Sequence, residues 1–365
     1  MEENSIRIGI THGDVNGVGY EVILKTICDE RITELCTPVI YGSAGAMEVH
    51  RNLIADLPPL SFKKIADATG VETGKVNFIN CVSGTLAINL GQPSPEAGRA
   101  AFESLEAAVA DIKGGYLDAL LTAPINKDTI QNEGFHFPGH TEYLEKHFKT
   151  AGRNALMILM DDRLRVALMT GHVPLANVPS LLDQNGIVSR LRDFDRSLRE
   201  DFRIVRPRIA VLALNPHAGE QGLLGGEEKA IIIPAIKEAE KSGLLAFGPY
   251  PADGFFGSRA YTRFDGVLAM YHDQGLIPFK SLVMKEGVNY TAGLSIVRTS
   301  PAHGTAYDIA GRGTASEESF RQALYAAIDI VRNRAAYRQA TANPLPYPVG
   351  RRFEKKSKSK SAETT

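Results

Sequence analysis

Six short apolar runs recur along the chain with amphipathic stretches between them, and this alternation constrains the fold more than any other feature. "IRIGIT", "PVIYGS", "DALLTAP", "LRVALMTG", "RIAVLALN" and "DGVLAMYHD" are continuous rather than alternating in hydrophobicity. Strands that read this way are buried on both faces, as in a mostly parallel sheet covered by helices. "EVILKTICDE", "EAGRAAFESLEAAVADIKGG", "NVPSLLDQNGIVSRLRDFDRSLREDF" and "EEKAIIIPAIKEAEKSG" carry apolar residues at helical spacing and supply that cover. The expected class is therefore α/β. No internal repeat is present, and 365 residues suffice for two domains or one large one.

Charge then limits the partners. Lys and Arg number 41 and Asp and Glu 42, so no overall field favours nucleic acid or an anionic membrane, and electrostatics must act inside a pocket. The chain has no tryptophan and no long basic stripe outside residues 351–365, which argues further against nucleic acid. That stretch, "RRFEKKSKSKSAETT", is predicted to be a basic disordered tail. "MEENSIRIGITHGD" has no leader pattern and no apolar run reaches membrane-spanning length, so no membrane role and a cytoplasmic location are expected. Cys28, Cys36 and Cys81 lack CxxC spacing and are predicted to be buried free thiols.

The chemistry collects where strands end. His172 follows "RVALMTG", His217 follows "IAVLALNP" and His272 follows "GVLAMY". Three strands of one sheet would each deliver an imidazole at the carboxyl end, where ligands bind in open α/β sheets. Neutral imidazoles so placed suit a divalent metal with positions left for substrate. Their spacings match no short metal motif, so each also reads as an ordinary hydrogen-bonded histidine.

A second group suits an anion. Lys280 closes "YHDQGLIPFK" and Arg298 follows "GLSIV"; both cations are costly to bury without a counter-charge. In "FPGHTEYLEKHF", Thr141 is predicted to cap a helix whose start, with His140, faces an anion. "THGDVNGVGYE" is neither GxGxxG nor a P-loop and reads equally as a tight strand-to-helix turn or a phosphate contact. "HGTAYDIAGRG" is a small-residue loop in which His303 and Asp308 can wrap an adenosine and its phosphates.

"LDALLTAPINK", "GHTEYL", "MTGHVPL", "NPHAGEQGLLGGEE", "YHDQGLIPFK" and "GVNYTAGLSIVRTSPAHGTAYDIAG", in register from about residue 6 to 335, resemble the 4-hydroxythreonine-4-phosphate dehydrogenase family of pyridoxal phosphate biosynthesis. The resemblance implies two interleaved α/β lobes within residues 1–350 around a central cleft, similar to isocitrate and isopropylmalate dehydrogenases. It also implies a homodimer with the active site at the subunit interface. It assigns His172, His217 and His272 to the metal, with both subunits contributing, and His140, Thr141, Lys280, Asn289 and Arg298 to substrate. Asp253 in "PYPADGFFG" becomes a further active-site candidate. One departure stands out: Val15, Asn16 and Tyr20 replace the Pro, Ala and Pro of the family's GDPAGIGPE turn, which puts local pocket shape and substrate identity in question.

The chemistry so implied is oxidative decarboxylation of a β-hydroxy acid. The metal (zinc, cobalt, magnesium or manganese) lowers the alcohol's pKa as hydride leaves for NAD, with NADP as the alternative, and then stabilises the enolate left by carbon dioxide. Asp273 can orient His272 or form part of the proton path; Asp253, Lys127 and a metal-bound water are candidates for the base. The expected reaction takes 4-phosphooxy-L-threonine to 3-amino-2-oxopropyl phosphate. An alternative turns D-threonate or D-erythronate 4-phosphate into dihydroxyacetone phosphate. A remote third is a non-catalytic metabolite-binding protein.

Overall fold

The computed structural model describes residues 5–131, 134–283 and 285–345, so the predicted tail at 351–365 lies outside the described residues. The strands are β1 (Arg7–Thr11), β2 (Thr37–Gly42), β3 (Lys63–Ile65), β4 (Asn77–Asn80), β5 (Ala119–Thr122) and β6 (Leu156–Met160), then β7 (Arg165–Leu168), β8 (Arg208–Leu212), β9 (Leu245–Tyr250), β10 (Gly266–Ala269), β11 (Val288–Ala292) and β12 (Val297–Pro301). They form one sheet in the order β3-β4-β2-β1-β5-β12-β11-β6-β7-β10-β8-β9. The sheet is continuous, so no strand break marks a boundary between lobes.

All six apolar runs are strands of this sheet: β1, β2, β5, β7, β8 and β10. Their continuity follows from burial on both sides. In β5, Ala119 and Leu121 join one core and Leu120 the other. In β10, Leu268 faces that first core while Val267 and Ala269 face a third. Neither face meets water, so no polar alternation is written into the chain.

The helices that matter here are α1 (Gly19–Ile27), α2 (Pro95–Lys113), α3 (His140–Phe148), α4 (Gln184–Glu200), α5 (His272–Leu282) and α6 (Glu318–Thr341). α2 shows why they form where they do. Ser94 accepts a hydrogen bond from Ala97 N, Pro95 opens the first turn, and Ala97, Ala101, Leu105, Ala108 and Ile112 bury one face.

The sheet is mostly parallel, as expected, and its centre holds the antiparallel exceptions. β11 runs antiparallel to both β12 and β6, and β6 antiparallel to β7. Two local devices turn the chain. Gly293 takes a left-handed φ of 84° at the β11–β12 connection, and the Asp161 carboxylate accepts from Arg163 N and Leu164 N at 2.9 and 2.7 Å between β6 and β7. β12 then returns to pair parallel with β5. The three cysteines are free: Cys36 is buried, Cys28 and Cys81 only half-buried. No helix among the described residues is long and apolar enough to cross a membrane.

Candidate active site

A cavity of about 220 Å³ opens over the central strands. Strand periodicity builds its floor. Asn289 on β11 stands opposite Ser300 on β12 and opposite Leu159 on β6. Two residues along, Arg298 shares the side of Ser300, Thr291 that of Asn289, and Met157 that of Leu159. Thr122 ends β5 beside them. Asn289, Ser300, Arg298, Met157, Leu159 and Thr122 all line the cavity.

Its walls come from loops and helix starts. α5 presents His272, Leu276 and Lys280 at four-residue intervals, so one helical face delivers all three. The first turn of α3 adds His140, Thr141 and Glu142, the loop after β5 adds Lys127, and the loop after β12 adds His303 and Gly304. Thr141 does not cap α3 as expected. Gly139, with extended backbone, precedes the helix, and Thr141 lies one residue inside it.

The electrostatics are unusual. Arg298 is 3% exposed, and among the described residues its guanidinium hydrogen-bonds only to hydroxyls: Nε and Nη2 donate to Thr122 Oγ1 at 3.1 and 2.7 Å, and Nη1 to Thr291 Oγ1 at 3.1 Å. Burial lowers its pKa to about 10, with Glu142 opposing the shift. Burial also holds His140 well below the usual imidazole range, helped by the charges of Arg298 and Lys127. His172 is lowered by burial, then by Lys127 and His272, and His303 by burial. Neutral rings and three cations, Arg298, Lys127 and Lys280, thus surround the cavity, and Glu142 is the one carboxylate among the described residues that line it. Asn289 Oδ1 and His303 Nε2 are buried there without hydrogen-bond partners among the described residues.

His172 and His272 meet at this wall, with ring centroids 5.4 Å apart. His272 Nδ1 and Asp273 share a hydrogen bond of 2.7 Å, which orients the ring so that Nε2 is the nitrogen left for a ligand. The parallel neighbours β7, β10 and β8 precede the three predicted histidines, yet His217 is exposed and does not line the cavity. It sits in a turn where residues 217–221 all have left-handed φ. Among the described residues no three His, Cys, Asp or Glu side chains are grouped to hold a metal. The protomer therefore fits a metal through two imidazoles, not three.

Asp253 and Asp308 are both exposed and lie away from the cavity, whereas Lys127, the other side chain considered as base, lines it. Thr122, Glu142 and Ser300 were not singled out from the sequence. Ser300 was within reach through its two-residue offset from Arg298; the other two required knowledge of which elements become neighbours.

The departures at Val15, Asn16 and Tyr20 prove to be interior. All three are 0% exposed and none lines the cavity. Asn16 donates to Gln92 O at 2.9 Å and accepts from Asn89 N at 2.8 Å; the Tyr20 hydroxyl accepts from Ser43 N at 2.7 Å and donates to Ser43 O at 3.0 Å. They hold loops together and do not shape the cavity wall.

Fold and site together define the class: an α/β protein with a cavity over its central strands lined by lysine, arginine and imidazole side chains. Residues 34–327 match the family described as "Pyridoxal phosphate biosynthetic protein PdxA", and the chain belongs to it. It is 55% identical over 345 residues to a 4-hydroxythreonine-4-phosphate dehydrogenase of Bacteroides thetaiotaomicron, with 94% of each chain covered. A relative of the same name from Sulfurihydrogenibium sp. is 40% identical over 329 residues, covering 90% of this chain and 99% of the relative. The crystal structure of a 4-hydroxythreonine-4-phosphate dehydrogenase from Klebsiella pneumoniae superposes with a TM-score of 0.77 at 35% identity, covering 91% of this chain and 99% of that one. Like these relatives, the chain is an oxidoreductase.

Proposed function

We propose that this chain oxidises and decarboxylates 4-phosphooxy-L-threonine to 3-amino-2-oxopropyl phosphate with NAD as hydride acceptor, in pyridoxal phosphate biosynthesis. The observation that carries the reading is Arg298, a buried cation hydrogen-bonded to hydroxyls and to no carboxylate among the described residues, facing a cavity that also holds Lys280 and Lys127.

Arg298 and Lys280 bind the substrate's anionic groups, with Thr141, Asn289 and neutral His140 as hydrogen-bonding neighbours; binding energy at the phosphate then orients the reacting carbon. The unpartnered Asn289 Oδ1 offers an acceptor to the substrate's ammonium, which a sugar acid phosphate lacks. Lys127 stands within the cavity as the candidate that takes the hydroxyl proton. Asp273 holds the His272 ring in one orientation.

His172 and His272 would hold a divalent ion, with a third imidazole from His217 of the partner subunit; zinc, cobalt, magnesium and manganese remain the choices. When bound, that ion supplies Lewis acidity at the substrate's alcohol and ketone oxygen. A second copy of the chain accounts for His217 standing exposed in its own protomer. Exposed Leu175, Leu223, Leu224 and Ile277 lie on the same loops and on α5, as an apolar interface requires. His303, in the cavity wall, and Asp308, on the same loop, receive NAD, or NADP in its place.

The test is NADH formation by metal-reconstituted protein with 4-phosphooxy-L-threonine, beside D-threonate and D-erythronate 4-phosphates. Turnover of the amino acid is expected; turnover of a sugar acid phosphate alone would move the protein to another pathway, and no turnover would reject the reaction. Sedimentation analysis should give a dimer, and a monomer that retains full activity would refute the shared site.

A further inference from the structure

The glycine-rich turn after β1 and the loop after β12 come from opposite ends of the chain, yet they meet along much of their length. Val18 N donates to Thr305 O at 3.0 Å, and a Cβ on Gly17 would come within 2.7 Å of that same carbonyl. Lys25 on α1 donates to the carbonyls of Gly313 and Ala315 at 2.8 and 2.7 Å, while Glu21, its ion-pair partner, accepts from Ala315 N at 2.7 Å.

In the middle of this seam the Tyr307 hydroxyl donates to Asp14 Oδ2 at 2.7 Å, and Asp14 Oδ1 accepts from Asn16 N at 2.8 Å. Asp14 is 1% exposed, and no cation pairs with it among the described residues. Burial accordingly raises its pKa. A carboxylate buried on neutral donors is costly to keep, which singles this pair out from ordinary loop contacts. The side chains of Asn126 and Thr305 flank the same hydroxyl. Asn126 adjoins Lys127, and Tyr307 lies four residues past His303, so the Tyr307 hydroxyl ties the turn after β1, which does not itself line the cavity, to the loops after β5 and β12, which do.

The geometry points to Asp14 and Tyr307 as positioning residues that hold the 303–313 loop, through the first strand-to-helix turn, in the shape that receives the dinucleotide. This rests on the reading of that loop as the cofactor's. A loop ordered in advance binds without the entropy cost of ordering it.

The test measures NADH binding by its fluorescence in the wild-type chain, Tyr307→Phe, Asp14→Asn and the double variant, beside the KM for the phosphorylated substrate. Tyr307→Phe should weaken NADH about tenfold, and the double variant no more than the weaker single, because both remove one bond. The substrate KM should move less than twofold, and amides of residues 303–313 should exchange hydrogen faster. Unchanged NADH affinity in a folded Tyr307→Phe would overturn the inference. So would a parallel loss of NADH and substrate binding, which marks general loosening. If Tyr307→Phe does not fold, Asp14→Asn carries the test with an expected threefold loss; failure of both to fold would make the pair a folding element and overturn the inference. Wild-type protein that binds NADH but turns over no phosphorylated hydroxy acid refutes the reaction alone, and protein that binds no NADH refutes both.

Discussion

Arg298 and Thr122 lie 176 residues apart in sequence, yet two of the three hydrogen bonds of the buried guanidinium end on the Thr122 hydroxyl. A buried cation whose hydrogen bonds among the described residues all go to hydroxyls, with Glu142 acting only through space, is poised for an anion and is costly to keep without one. Arg298→Met should therefore cut turnover by at least about a hundredfold while leaving thermal stability unchanged or higher, since an apolar side chain of similar size removes an unpaired buried charge. A large fall in melting temperature would show that the guanidinium serves the fold instead.

Asp273 accepts from His272 Nδ1 while its own side chain stays 70% exposed, so its removal should spare the fold. Asp273→Asn should lower divalent-metal affinity about ten- to a hundredfold, as the loss of an orienting partner does elsewhere. Competition with a chelator, read by elemental analysis of the recovered protein, measures this. Equal retention of metal would place Asp273 outside the site.

Gly98 lies within α2, where alanine ordinarily adds about 1 kcal/mol of stability. Here a Cβ would overlap the backbone of Thr129 and Ile130. That loop cannot yield easily, because Asn126 Oδ1 accepts from both Asp128 N and Thr129 N. Gly98→Ala should accordingly destabilise by about 2 kcal/mol, the usual scale of an overpacked interior, and should displace Lys127. A urea midpoint that rises would refute the contact.

His12 is 0% exposed and stacks on Tyr20 with centroids 5.1 Å apart, and neither ring nitrogen makes a hydrogen bond of good geometry among the described residues. Burial lowers its pKa to about 4 from 6.5. Between those values the unfolded chain binds the proton and the folded chain does not, so stability is present above pH 6.5 and is lost as pH falls toward 4. The loss attributable to this ring is roughly 3 kcal/mol. Urea midpoints across that range should fall less steeply in His12→Leu than in the wild type, whatever the variant's overall offset. His50, also lowered by burial, keeps some slope in the variant. Identical slopes would remove His12 from the account.

Much of the site was legible because its parts obey local periods. His272 and Lys280 fall on one face of α5, and Arg298 marks the cavity side of β12 for Ser300. The six buried runs likewise announced themselves as strands. β6, β11 and β12 did not, although "LMILM" is as apolar as any strand that was read. Nothing local to that stretch tells that its partners run antiparallel.

The sequence by itself determined where six of the twelve strands and the amphipathic helices between them form, and which cations and imidazoles stand at their ends, since these depend on the spacing of side chains along a few turns or residues. Only the tertiary structure decided which ends meet. It placed Asp14 against Tyr307, Arg298 against Thr122, and Val15, Asn16 and Tyr20 in the interior, and it left His217 exposed. Such contacts depend on strand order and crossing direction, which burial of the whole sheet selects together and no local segment encodes.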